Sequence, residues 1–350
     1  MIEPIVCVPA RNEADRLPYL LRSLQRQTWL RSHSSPLQTV LVLNNCEDET
    51  SAVLQERAGE WPQLSLHIID VNFAPENAHV GSARRLAMDT AVALTSKNSV
   101  LLTTDADAMP RHDWIDANLR AIGGGADLVG GCIVGDRDEE ALLGPSFALR
   151  AARHLYYAKL IDRLRFLVNP VPHDPWPRHS NNTGASLAVR SQVYKAVDGM
   201  PPLPFREDLA FVERVCCAGY LLRHPLDVRV TVSARLDGRA AGGMSDCLKR
   251  WLAAEENGLP HLVEDPQTIV VRLLDRQLND TKANSICLPV DDDFARLGTD
   301  DSLDRAEAGA GGESVEIEFA INQLRRMIAT KESEINVREH STLDILQRVD

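Results

Sequence analysis

The 350-residue chain has no cysteines spaced C-x-x-C, and its seven cysteines are scattered, with only Cys216 and Cys217 adjacent. An odd, scattered set argues against a zinc site or a disulfide framework and predicts a reduced, cytoplasmic protein. The Asn-x-Thr sequons at Asn181 and Asn279 are then chance matches. No apolar stretch approaches the ~18–20 residues that cross a bilayer, and no signal-peptide pattern precedes the first strand-like run. Basic charge is scarce. Lys and Arg number 38 against 50 Asp and Glu, a net charge of -12, so a general nucleic-acid-binding face is excluded. The deficit is uneven: from His261 to Asp350 there are 10 Lys/Arg against 19 Asp/Glu. The acidity therefore belongs to the tail, and the first 260 residues are close to neutral. What is present, 44% hydrophobic and 25% charged residues, is ordinary for a soluble chain forming one large or two modest domains.

The first half alternates strand and helix patterns, as a mostly parallel sheet requires. Short apolar runs predict strands at Ile5–Val8, Thr39–Leu43, Ser65–Val71, Val100–Thr103 and Leu128–Val134. Helical spacing predicts helices at Glu13–Gln27, Ser51–Ala58, Gly81–Leu94 and Arg111–Ile122. The second half is less regular. Ser146–Val168 reads as a long helix carrying Tyr156, Tyr157 and several basic residues, and the proline-dense Asn169–Arg178 as a loop. Ala185–Val189 and Leu226–Val232 read as strands; Gln192–Val197, Glu207–Ala218 and Met244–Glu256 read as helices. Asp291–Gly312 lacks periodicity and reads as an acidic mobile linker. Beyond it, Ile317, Ile321, Leu324 and Ile328 form one helical stripe that either packs on the core or mediates a homodimer.

The chemistry concentrates where strands end. In Ser99–Met109, SVLLTTDADAM, an apolar run delivers Asp105 and Asp107 to a strand's carboxyl end, where open α/β sheets bind ligands. Two carboxylates together call for a cation, and a hard divalent ion bridging to phosphate oxygens, Mg²⁺ or Mn²⁺, suits them. Asp136/Asp138 and Asp291–Asp293 share the spacing but read as solvated surface acids. VPARNE (Val8–Glu13) follows the first strand and either presents a turn to a flat ring or a phosphate or is a simple strand-to-helix turn. LNNCEDET (Leu43–Thr50) offers Asn44 and Asn45 to a nucleobase edge or to an Asx turn. GSARR (Gly81–Arg85) places Arg84 and Arg85 at a helix N-terminus, against the dipole, which calls either for a neighbouring anion or for solvation of both arginines. Glu207 and Asp208 open a helix, as caps or with Asp208 as a base that takes a proton from an acceptor hydroxyl.

Taken in order, Pro9–Glu13, Val42–Thr50, Gly81–Arg85, Asp105–Asp107 and Glu207–Asp208 resemble the motif series of the family 2 glycosyltransferases of GT-A fold. Val230–Gly243 resembles the Thr-Ser-x-Arg stretch after their last core strand. The resemblance covers residues 2–256. It implies an α/β, Rossmann-like mixed and mostly parallel sheet flanked by helices, with a C-terminal helical extension. The organisation it implies is a catalytic domain at 1–256, with a nucleotide-binding half at 1–135 and an acceptor half at 136–256. A helical extension at 257–290, the linker at 291–312 and an amphipathic helix at 313–350 follow. The activity it implies is metal-assisted, inverting transfer of a sugar from a UDP- or GDP-sugar to an acceptor hydroxyl.

The resemblance also implies roles. Pro9, Arg11, Glu13 and Asn44 border the base. Asp105 approaches the ribose and sugar, and Asp107 ligates the metal. Asp208 is the general base. Asn182, Thr183 and Gly184 lie near sugar or acceptor, Arg84 belongs to the donor site, and Arg235 and Arg239 neutralise the leaving diphosphate. Asn44 stands where the family has Asp, which leaves the base open. Ser233 and Arg235 stand near the family's late metal-binding histidine, with His179 and His224 as substitutes. The long helix at 146–168 either covers the sheet, faces the acceptor or touches a membrane surface as a peripheral contact. Two other readings stay open: a catalytically silent nucleotide-sugar-binding protein, and a nucleotidyltransferase, although VPARNE lacks the glycines of a triphosphate loop.

Overall fold

The computed structural model describes residues 2–95, 98–239, 243–280 and 314–346. The linker at 291–312 lies outside them. The chain folds into two compact units. The first comprises Met1–Leu142 with Pro177–Arg250; the second comprises Leu143–Trp176 with the described residues of Trp251–Asn284 and Asp300–Asp350.

The strands are β1 (Glu3–Ala10), β2 (Leu37–Asn44), β3 (Leu64–Val71), β4 (Ser99–Thr103), β5 (Met109–Pro110), β6 (Leu128–Gly130), β7 (Cys132–Gly135), β8 (Leu187–Arg190), β9 (Leu222–Arg223), β10 (Arg229–Val232), β11 (Leu262–Glu264) and β12 (Ser314–Glu316). The helices are α1 (Leu17–Gln25), α2 (Thr50–Glu56), α3 (Val80–Leu94), α4 (Trp114–Gly123), α5 (Arg137–Leu142), α6 (Pro145–Val168), α7 (Ser191–Ala196), α8 (Glu207–Cys217), α9 (Met244–Glu256), α10 (Pro266–Asp280) and α11 (Ile317–Leu346).

The first unit is built on a seven-stranded sheet ordered β3-β2-β1-β4-β8-β6-β9. β1 to β4 pair in parallel, while β8 runs antiparallel to both neighbours. The expected mixed, mostly parallel sheet is therefore present. Central strands are buried on both faces, which is why β1 and β4 read as continuous apolar runs. Alternation still sorts their side chains. Val6, Val8, Leu41 and Leu102 enter one core with Leu20 and Leu24 of α1 and Trp114 of α4. Ile5, Cys7, Val40 and Leu101 enter the other with Ala87 of α3 and Phe211 of α8.

Several boundaries differ from the sequence reading for identifiable reasons. α1 begins at Leu17 because the N–H groups of Glu13 and Ala14 are already bonded to Thr50 Oγ1 and Asp48 Oδ2, at 2.9 and 3.1 Å. α4 begins at Trp114 because Met109 and Pro110 pair with β10. The single strand expected at Leu128–Val134 is two, β6 in the large sheet and β7 in a three-stranded sheet ordered β5-β10-β7. The break falls at Gly131, where a Cβ would lie 2.0 Å from Ser186 Oγ.

In the second unit, Tyr157, Ile161 and Leu164 of α6 pack with Ile269 and Leu273 of α10 and with Ile317, Ile321, Leu324 and Ile328 of α11. The C-terminal stripe thus packs on its own unit's core. A short strand pair, β11 with β12, precedes α11; three residues were too few to read from periodicity. Tyr157 is a core residue whose hydroxyl donates to the Glu264 carbonyl at 2.8 Å, while Tyr156 stays exposed. No described helix is long and apolar enough to cross a membrane. Among the described cysteines, Cys7, Cys46, Cys132, Cys216 and Cys247 are not in disulfides.

Candidate functional site

The loops after β1 and β2 are laced together. Asn12 and Asn45 both adopt left-handed backbone, φ 54° and 49°, which asparagine tolerates better than most residues. Asn12 Oδ1 accepts from the Glu47 N–H at 2.7 Å. Asn45 exchanges two 3.0 Å hydrogen bonds with the Phe73 backbone. Asn45 is therefore a loop-building residue, one half of the base-reading pair expected from the sequence. Asn44, also buried, has a side-chain oxygen with no hydrogen-bond partner, and such an acceptor is a cost unless a ligand supplies a donor. Pro9 is buried within β1, and Arg11 donates to the Ala78 carbonyl at 3.1 Å.

Arg84 is the hub of the site. It lies on the buried face of α3 and is 2% exposed. Gly184 makes room for it, since a Cβ there would sit 2.4 Å from the Arg84 guanidinium, while a Cβ on Gly81 would sit 2.1 Å from Leu203 O and so lets α3 approach that segment. Arg84 Nε donates to Glu207 at 3.0 Å, Nη1 to Thr103 Oγ1 at 2.8 Å and to the Gly184 carbonyl at 2.9 Å, and Nη2 to Asp105 at 2.7 Å. The anions predicted near this arginine are the protein's own carboxylates, and all three of its nitrogens are engaged by protein groups. Arg84 therefore holds Asp105 and Glu207 in place. Arg85 faces the other way and pairs with Asp89 and the Met200 carbonyl.

Asp208, in the first turn of α8, accepts from the Gly184 N–H at 2.6 Å and from the Leu209 N–H at 2.8 Å. The Gly184 peptide is thus gripped at both ends, its N–H by Asp208 and its carbonyl by Arg84. Burial raises the pKa of Asp208, opposed by Arg84, and does the same to Glu207. Burial, then the charge of Asp105, pushes Asp107 up to about 6 against the pull of Arg235.

Arg235 comes from the segment after β10. Its Nη1 donates to Glu13 at 2.8 Å, its Nη2 bonds the other Glu13 oxygen, and Nη2 also lies 3.0 Å from Asp107. Arg239 Nε donates to the Asn12 carbonyl at 3.2 Å. Sequence reasoning missed Glu139 of α5, which accepts from Ser233 Oγ and from the Ala234 N–H, both at 2.7 Å, and pairs with Arg16. The only local signal was Asp136, whose carboxylate accepts from the Asp138 and Glu139 N–H groups and so starts that short helix.

Asn182 is buried and lies 2.8 Å from His224 Nε2, and it donates to the Ser180 carbonyl. His179 accepts from the Asn181 N–H at 3.0 Å and sits edge-on to His224. Thr183 Oγ1 is buried without a partner. Among the described residues no three His, Cys, Asp or Glu side chains converge to hold a metal ion. The structure therefore does not place His179 or His224 as an added ligand. Mg²⁺ and Mn²⁺ are commonly held by one or two carboxylates plus substrate phosphates rather than by a protein cage. Asp107 with Asp105 fits that donor set.

Comparison with curated proteins gives no match. Among solved structures, the chain is similar to S. aureus TarS 1-349 in complex with UDP, at 14% identity over 79% of this chain and 72% of that one, TM-score 0.48. It is similar to the mannosyltransferase PcManGT from Pyrobaculum calidifontis in complex with GDP-Man and Mn2+, at 16% identity over 99% and 80%, TM-score 0.46. It is also similar to GalNAc-T7 with UDP, GalNAc and Mn2+, at 16% identity over 73% and 48%, TM-score 0.48. The profile of glycosyl transferase family 2 matches residues 5–176, a span that holds β1, β2, Arg84 and the acidic pair. Residues 5–176 are thus similar to glycosyl transferase family 2.

Proposed function

We propose that the protein transfers a sugar from a nucleoside diphosphate sugar to an acceptor hydroxyl, with inversion and with Asp208 as general base. The observation that carries this reading is the Gly184 peptide. It joins the base to Arg84, and Arg84 joins it to Asp105, so the acidic pair and the base belong to one hydrogen-bonded assembly. The unpartnered oxygen of Asn44 accepts a base N–H in this reading. Pro9 and Arg11 border the base, and Asn182 and Thr183 lie toward the sugar or acceptor.

Asp107, with Asp105, would hold Mg²⁺ or Mn²⁺ together with diphosphate oxygens. When bound, the ion neutralises charge developing on the departing diphosphate. Arg235 and Arg239 add positive charge at the same end. Asp208 takes the acceptor's proton as the new glycosidic bond forms; its raised affinity for a proton suits that task. Two backbone N–H donors orient its oxygens.

The test is a thermal-shift series with UDP, GDP, CDP and dTDP, each with Mn²⁺ and with EDTA, followed by turnover with the sugar donor of the base that binds. Metal-dependent stabilisation by one diphosphate in the wild type, lost in Asp107→Ala, is expected. A ligand at 100 times its Kd adds roughly 2.7 kcal/mol. Asp208→Asn is expected to keep that stabilisation and to lose about 10²–10⁴-fold in turnover. Binding without turnover in the wild type would make the protein a silent nucleotide-sugar binder, and no stabilisation by any diphosphate would sink the donor site.

A further inference from the structure

Arg235 makes an arrangement that the proposed transfer does not require. Its guanidinium spans two carboxylates, bonding both oxygens of Glu13 and lying 3.0 Å from Asp107. The side chain is 17% exposed and that of Glu13 6%, so this is not a loose surface pair. The segment that carries it is fastened on either side. Glu139 holds Ser233 and Ala234 before it, and Arg239 bonds the Asn12 carbonyl after it. Glu13 is itself fixed, through its N–H to Thr50 Oγ1. The carboxylate best placed to ligate a metal already carries a cation.

We infer that Arg235 is a built-in counter-ion that competes with the divalent metal for Asp107 and gives way when a diphosphate arrives. This rests on the reading of Asp107 as the metal-facing carboxylate. A metal and a guanidinium on one carboxylate repel each other at short range, so the metal alone binds weakly. A diphosphate changes the balance. It brings oxygens for the metal and offers the guanidinium new anionic partners of matching fork geometry. Metal and nucleotide then bind with positive coupling, each raising the affinity of the other by the same factor. Arg235 carries part of that coupling, and it sets the order of events: the site takes up metal with the nucleotide, not before it.

The experiment measures Mn²⁺ binding to the full chain by the loss of the free-ion electron paramagnetic resonance signal. It compares wild type, Arg235→Ala and Arg235→Lys, with Mn²⁺ alone and with UDP or GDP added, after folding is checked by circular dichroism. Arg235→Ala is expected to bind Mn²⁺ alone about tenfold more tightly than wild type, with Arg235→Lys in between because it keeps the charge but not the fork. The added nucleotide is expected to tighten Mn²⁺ in the wild type more than in Arg235→Ala. Equal or weaker Mn²⁺-alone binding in Arg235→Ala overturns the inference, as does no binding in any of the three. A merely structural arginine would give the equal result. Should Arg235→Ala not fold, Arg235→Lys decides by the same comparison. If neither nucleotide binds the wild type, the proposed function falls, while the Mn²⁺-alone series still decides the role of Arg235.

Discussion

The two units bury charged groups in opposite ways. In the first, Glu13, Asp105, Asp107, Glu207 and Asp208 gather around two guanidiniums, Arg84 and Arg235, where the strands of the sheet end. In the second, two histidines sit among aromatic rings. His154 stacks on His261 and both rings lie against Trp251, with Phe147 beside it. Arg150 is tied to Glu255 and to the Leu259 carbonyl. The first arrangement concentrates like charges, which is unfavourable unless something outside the protein uses them. The second disperses polar groups through an apolar core and satisfies the needs of packing. Under the proposed function, the concentrated charge is where ligands are handled, and the second unit's polar groups hold its helices together.

The comparison can be broken most directly at Arg84. Arg84→Ala leaves Asp105 and Glu207 without their buried partner, and a loss of about 3–5 kcal/mol in unfolding free energy is expected. Urea unfolding measures it, and Arg84→Lys should not restore the loss, because a lysine cannot reproduce the fork that reaches four acceptors. A loss below about 1 kcal/mol, the range of exposed ion pairs, would mean that the charges of the first unit are not interlocked. Next in size is Leu324→Ala in the second unit. It removes a fully buried side chain and should cost about 2–5 kcal/mol, while nucleotide-dependent thermal shifts keep their size relative to the variant's own baseline. Loss of the nucleotide response would erase the division of labour.

The third effect is smaller and depends on pH. Burial, then His154, then Arg150 and Arg153, lower His261 from 6.5 to about 3. The folded chain keeps this ring neutral while the unfolded chain takes up the proton. Its contribution is therefore present above pH 6.5 and is lost progressively as pH falls toward 3. Urea midpoints at pH 7 and pH 5 should fall further in wild type than in His261→Phe. Equal falls would assign the acid sensitivity to other groups.

Much of the first unit was legible because its strands are short apolar runs bounded by turn residues, and because its clustered charged and polar residues follow them directly. Asp105 and Asp107 stand just past the end of β4, where the apolar run predicts the strand to stop. An arginine set against a helix dipole predicts a neighbouring anion at Arg84, and the protein's own Asp105 and Glu207 supply it. Nothing local says that Glu207, 123 residues away, supplies the anion. Asn44 and Asn45 look equivalent in sequence, and only the left-handed backbone at Asn45 separates the loop builder from the residue with an unsatisfied oxygen. Glu139 was illegible because its partners, Ser233 and Ala234, come to it through the pairing of β7 with β10. The Leu128–Val134 run hid a division between two sheets, since periodicity carries no information about which sheet a strand joins.

That division has a consequence for how the site tolerates changes in chain length. β6 stays in the large sheet beside β8, whose preceding residues include Gly184, while β7 pairs with β10, which leads to Arg235. The linkage between them is Gly131. Inserting or deleting one residue there would turn the faces of β7 over relative to those of β6, carrying the arginine's segment away from Glu13 with no change to the amino acids that touch a ligand. Length variation between homologues should therefore be rare at Gly131, even though a glycine in a loop is where alignments most often place a gap.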